Sequence, residues 1–138
     1  HLLQKKGVRM ITYNDNYLDL RYGFTHSSPL FHELTILKVY DIYKLQVGKF
    51  VYESINSIGP SQSIIKYTMA SDVHHHNTIY ADHGGIQVNR FRTSRYGLKS
   101  LKNDGRSIWN TIPPTIQNKP TKSSFCSSYK KLLVNQYV

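Results

Sequence analysis

One stretch limits the folding options of this chain more than any other. From Val39 to Ile58, Val39, Ile42, Tyr43, Gln46, Val47, Phe50, Val51, Ser54, Ile55 and Ile58 recur at three- and four-residue steps, the period of a helix that buries one face. Gly59-Pro60 is the natural stop. The spacing predicts a helix at the centre of the core with Ile42, Val47, Phe50, Val51, Ile55 and Ile58 turned inward, each contributing roughly 1.5–3 kcal/mol once a partner surface covers it. A chain of 138 residues, 39% hydrophobic, has room for one such core and reads as a single domain.

Weaker elements flank this helix. Leu2, Leu3, Val8, Met10 and Ile11, interleaved with Gln4, Lys5, Lys6 and Arg9, read as a short helix weakened by Gly7, the tail of a helix that starts upstream. Residues 14–23 read as a loop. Ser27 or Ser28 before Pro29 is an N-cap signal for a helix from Pro29 to Leu34. From Ser61 to Gly85 the periodicity dissolves, and the stretch reads as an exposed connection. Ile86, Val88, Arg90 and Arg92 fall on one side of an extended segment, with Phe91 on the other. Asn103-Asp104-Gly105 has turn chemistry, which leaves Arg106 to Ile112 about two helical turns before Pro113-Pro114. Ser123 or Ser124 caps a last helix in which Phe125, Tyr129, Leu132 and Leu133 share a face and Lys130 and Lys131 sit toward the C-terminal end.

Charge is distributed unevenly. Residues 1–82 hold eight basic and seven acidic groups, a net of +1, whereas residues 83–138 hold ten basic groups and one acid, Asp104, a net of +9. Concentrated positive charge favours polyanions, because phosphates release condensed counterions when a basic surface replaces them. Solubility alone is the competing explanation. No apolar run approaches the roughly 18 residues of a membrane span, and residues 1–9 lack the parts of a secretory signal. The expected location is intracellular, cytoplasmic and nuclear, and no membrane partner is expected. Cys126 is the only cysteine, so neither an internal disulfide nor a zinc site with two thiolates is possible.

Most chemical constellations fail on geometry. His74, His75, His76 and His83, beside Asp72 and Asp82, offer metal-ligating atoms, but consecutive histidines do not converge on one ion without a scaffold, so no metal is expected. Tyr80-Ala81-Asp82-His83 lacks the second carboxylate of the Tyr-x-Asp-Asp box, and paired-metal chemistry needs acids converging on ions about 4 Å apart. Cys126, between serines on a helix, reads as a packing residue. Gly84-Gly85 has no phosphate-loop context. The basic segment is coherent by contrast: Arg90, Phe91, Arg92, Arg95 and Tyr96 interleave guanidinium groups with aromatic faces, suited to phosphate contact and stacking on unpaired bases, and Lys99, Lys102 and Arg106 extend the track. The competing reading is a solvated basic face with Phe91 in the core. Ile108, Trp109 and Ile112 read as a clamp onto the front helices, with Asn110 holding the bend before Pro113.

A wider pattern ties these elements together. Leu3-Gln4-Lys5-Lys6 through Ile11, His26, Pro29-Leu30-Phe31, Leu34, Ile36-Leu37-Lys38, Asp41-Ile42-Tyr43, Leu45-Gln46, Phe50 and Tyr52 resemble the region after the thumb in reverse transcriptases of LINE-type, jockey-like non-LTR retrotransposons. His76-Asn77-Thr78, Tyr96-Gly97, Ser100-Leu101, Gly105, Ile108-Trp109-Asn110, Ile112-Pro113 and Phe125 resemble that family's closing segment. Ile79 departs from it, standing where a basic residue is expected. The resemblance implies a C-terminal piece of an RNA-directed DNA polymerase whose palm and catalytic carboxylates lie upstream of His1. On that basis the chain alone is expected to be no enzyme and to hold no cofactor.

The expected fold is mainly α, a small helical domain with a short extended or β segment around residues 86–93 and long loops. Residues 1–60 would form the helical part, 61–85 an exposed connection and 86–138 the basic part. The expected function is non-sequence-specific binding of RNA or DNA, as template or primer-template, beside an upstream polymerase thumb and palm. The alternative is a structural module that packs on the thumb and binds no nucleic acid of its own.

Overall fold

A computed structural model describes residues 2–12, 27–59, 65–73, 84–87, 93–94, 97 and 100–137. The fold is mainly helical, with six α-helices among the described residues: α1 (Leu2–Thr12), α2 (Ser28–Glu33), α3 (Val39–Ile55), α4 (Leu101–Thr111), α5 (Pro114–Gln117) and α6 (Lys122–Asn135). A short 3-10 turn covers Ala70–Asp72. The extended pairing seen among the described residues is a single antiparallel bridge between Met69 and Ile86. The chain groups into two compact units, residues 1–43 with 130–138, and residues 44–129.

In the first unit Val8, Leu30, Phe31, Leu37, Leu133, Val134 and Tyr137 are buried. The exposed N-terminus of α3 is capped from α1: the Gln4 Nε2 group donates to the Leu37 carbonyl at 2.7 Å, and the Val39 N–H donates to Gln4 Oε1 at 3.0 Å. Asp41, buried in the first turn of α3, accepts from the Tyr137 hydroxyl at 2.6 Å. The Lys38 N–H donates to the same hydroxyl oxygen at 2.9 Å, and the Lys38 ammonium lies 4.1 Å from the Tyr137 ring centroid. It also donates to Ser28 Oγ at 2.7 Å.

The second unit is centred on aromatic rings. Phe125 of α6 stacks on Tyr52 of α3 at 4.7 Å and on Trp109 of α4 at 5.8 Å, and Tyr129 is tilted against it at 5.8 Å. All four side chains are buried. Two helix-interior glycines admit close neighbours. A Cβ on Gly48 would meet Tyr129 Cε1 at 2.9 Å, and one on Gly105 would meet Val51 Cγ2 at 2.9 Å and the Tyr67 hydroxyl.

Several local expectations are corrected. The inward face of α3 is Val47, Gly48, Val51 and Tyr52, while Ile42 and Ile58 are 42% and 41% exposed and Phe50 and Ile55 are half-buried. Aromatic stacking on Tyr52 rotates the buried stripe away from the aliphatic one. Gly59 does not end α3; the helix stops at Ile55, with Ser57 at φ 57° and the Ile58 N–H donating to the Glu53 carbonyl at 2.8 Å, a Schellman close built without glycine. Thr35, at φ 52°, ends α2 in the same way, with Ile36 N–H bonded to the Phe31 carbonyl at 3.0 Å.

Asn103-Asp104-Gly105 is helix, not turn. Ser100 caps α4 by accepting the Asn103 N–H on its side chain at 3.3 Å, and Asp104 lies in the first turn near the positive helix end. The residue at the start of α2, Ser27, makes no side-chain cap bond. At α6 the cap is Thr121, whose Oγ1 accepts the Ser124 N–H at 3.2 Å, so the helix begins before the serines expected to cap it. The stretch read as an exposed connection is partly packed: Ala70 is buried, its N–H donates to the Gly85 carbonyl at 2.8 Å, and the Gln87 N–H donates to the Thr68 carbonyl at 2.9 Å. Asn110 does not hold the bend before Pro113; its side chain turns to Ile86 instead.

Candidate nucleic-acid interface

Two of the eight candidate contact residues are described, Lys102 and Arg106, both on α4. Arg90, Phe91, Arg92, Arg95, Tyr96 and Lys99 lie outside the described residues. Lys102 and Arg106 are four apart, so both project from one side of the helix. Lys102 is exposed. Arg106 is half-buried, and its Nη2 donates to Asn103 Oδ1 at 2.6 Å. Its Nε is buried with no hydrogen-bond partner among the described residues. Lys102 therefore presents its charge to solvent, while Arg106 commits part of its guanidinium to its own helix.

The described residues on either side of the basic segment are firmly bonded to each other. Before it, the Ile86 N–H donates to Asn110 Oδ1 at 2.9 Å and Asn110 Nδ2 donates to the Ile86 carbonyl at 3.2 Å, so one side-chain amide satisfies both backbone groups as a strand neighbour would. The Trp109 indole N–H donates to the Gly84 carbonyl at 3.3 Å. Gln117 Nε2, buried, donates to the Trp109 carbonyl at 2.7 Å and fixes the end of α4. Gly84 holds φ 69°, a backbone state that L side chains adopt at a cost. Trp109 and Asn110 thus join residues 84–87 to α4.

Several other titratable groups in this unit are engaged within the fold. Lys122 pairs with Glu53, and that hydrogen bond holds its pKa above the ordinary lysine value. The Tyr52 hydroxyl donates to the Lys119 carbonyl at 2.6 Å. Burial pushes the Cys126 thiol up despite nearby Lys49 and Lys122, which keeps it protonated and poorly nucleophilic at neutral pH. Burial also raises Tyr67 to about 12, and its hydroxyl has no hydrogen-bond partner among the described residues. Asp72 is exposed beside Ser71. The histidine run, His83 and Asp82 lie outside the described residues, and no cluster of three metal-ligating side chains occurs among the described ones.

Sequence reasoning missed Gly84, Ile86 and Gln117 as partners of the Trp-Asn element. A Trp-Asn pair near a Gly-Gly signals packing and hydrogen bonding in general, but nothing in the spacing names the backbone groups that receive them. No family model, curated protein or solved structure matches the chain. No helix among the described residues is long and apolar enough to cross a membrane.

Proposed function

We propose that the chain is a non-catalytic nucleic-acid-binding module, the C-terminal part of an RNA-directed DNA polymerase of the retrotransposon type it resembles. Arg90, Arg92, Arg95, Lys99, Lys102 and Arg106 neutralise phosphates of RNA or DNA without sequence preference, and Phe91 or Tyr96 stacks on unpaired bases. The observation that carries this reading is the net charge of +9 confined to residues 83–138 against +1 in the rest. Exposure of Lys102 on a helix rooted by Trp109 and Asn110 supports it, because a charge on a rigid support loses less entropy on binding.

Salt titration tests the proposal. With about four to six phosphates contacted, the slope of log K against log salt should be roughly −3 to −5, and Arg92→Glu with Arg95→Glu should flatten it by about 2. Absence of salt-sensitive binding to both RNA and DNA in a gel-shift series would refute it. The Arg106–Asn103 bond favours a second reading for that residue alone, a structural arginine whose charge serves α4 rather than a ligand. In that case Arg106→Gln leaves the slope unchanged.

A further inference from the structure

We infer that the outer face of α1 is a docking surface for an amphipathic helix of a protein partner with an acidic rim. In α1 Val8 is 3% exposed, whereas Leu2, Leu3, Met10 and Ile11 are 76%, 83%, 79% and 70% exposed. Leu3, Gly7, Met10 and Ile11 follow the i, i+4, i+7, i+8 spacing of a single helical stripe. The helix cannot roll to bury that stripe, because Gln4 is bonded to the Leu37 carbonyl and the Val39 N–H. A fixed, contiguous apolar stripe of this kind marks an interaction surface.

Gly7 is an independent observation on the same stripe. Glycine is disfavoured inside helices, and at Gly48 and Gly105 the neighbours explain it, since a Cβ there would collide. At Gly7 a Cβ would meet no heavy atom of the described residues within 4 Å. Nothing among the described residues requires the missing side chain, but a second helix backbone laid across the stripe would use the gap it leaves.

Charge selects the occupant. α1 carries Lys5, Lys6 and Arg9 and no acid, and exposed Lys6 borders the stripe beside Met10. A second copy would bring like charges together, and a lipid surface has no ridge to seat over Gly7. An apolar ridge flanked by Asp or Glu complements both features.

The test titrates the full chain with two fluorescent helical peptides that share one leucine stripe, one with a glutamate rim and one with a lysine rim. The glutamate-rimmed peptide should bind about tenfold more tightly at low salt, with Lys6→Glu removing the preference. Gly7→Leu should weaken it by about tenfold while circular dichroism shows helix content equal or higher. Equal affinity for both peptides, binding of neither, or a Gly7→Leu variant that binds normally would overturn the inference. So would pelleting with phosphatidylserine vesicles, or a dimer in sedimentation, that Leu3→Ser with Met10→Ser abolishes, since the stripe would then belong to lipid or to a second copy.

Discussion

The two compact units reach stability by different chemistry. In residues 44–129 the centre is a set of rings, Tyr52, Phe125, Trp109 and Tyr129, with glycines where helices approach closely. In residues 1–43 with 130–138, buried apolar side chains surround a polar knot of Asp41, Tyr137, Lys38 and Ser28. Area burial drives the first and is insensitive to protonation. The second depends on directional bonds between a buried carboxyl group and a phenol, which fail when the phenol ionises or is removed. Volume changes should therefore damage the ring unit most, while ionisation of Tyr137 acts on the knot.

The largest effect should follow Phe125→Ala. Phe125 is fully buried between Tyr52 and Trp109, so truncation removes its burial and opens a cavity that neither large ring can fill. The expected loss is about 3–5 kcal/mol in a urea titration. A loss below about 1 kcal/mol would mean that the stack is not the organising centre of that unit.

Next is the knot. Tyr137→Phe removes the donor to Asp41 and the acceptor for the Lys38 N–H at once, an expected cost of about 1–3 kcal/mol. Its pH dependence has a definite sign. Burial, reinforced by the hydrogen bond to Asp41, pushes the Tyr137 pKa from 10.0 to about 12. At pH values between these the unfolded chain binds fewer protons than the folded one, so the contribution is complete below about 10 and disappears as the pH rises through about 12. Tyr67 in the other unit shifts in the same direction through burial alone. Tyr137→Phe should accordingly flatten, without abolishing, the alkaline fall in urea midpoint; an unchanged profile would show that the knot does not open on phenol ionisation.

Legibility from sequence followed the range of the forces involved. Periodicity located the helices read at Pro29–Leu34, from Val39 to Ile58 and after Ser123 or Ser124, because it acts over one or two turns, but the ends fall elsewhere, at Ser28–Glu33, Val39–Ile55 and Lys122–Asn135. Asn103-Asp104-Gly105 was misleading because its turn chemistry is local: Ser100 caps the helix that runs through it, and the close packing that calls for glycine at 105 comes from Val51 and Tyr67, distant in sequence. The buried face of α3 was right at Val47 and Val51 and misplaced elsewhere: Ile42 and Ile58 fit the stripe, yet Tyr52 has the ring partner. For the proposed interface, charge marks the candidate segment, and of its residues α4 carries Lys102 and Arg106. Asn110 could not be assigned from spacing, since its partners are backbone atoms of Ile86.

The smallest effects make the sharpest contrast, because one substitution in the two units should act with opposite signs. Gly105→Ala gains helix propensity, about 1 kcal/mol, but drives a methyl into Val51 and the Tyr67 hydroxyl, and overpacking of this kind costs about 1–3 kcal/mol. The far end of Tyr67 can give; Val51, fully buried, cannot, so the balance is a modest loss. Gly7→Ala meets open space among the described residues, keeps the propensity gain and should stabilise by about 0.5–1 kcal/mol. Thermal midpoints of the two variants moving the same way would refute the close approach at Gly105 if both rise, and the open space at Gly7 if both fall.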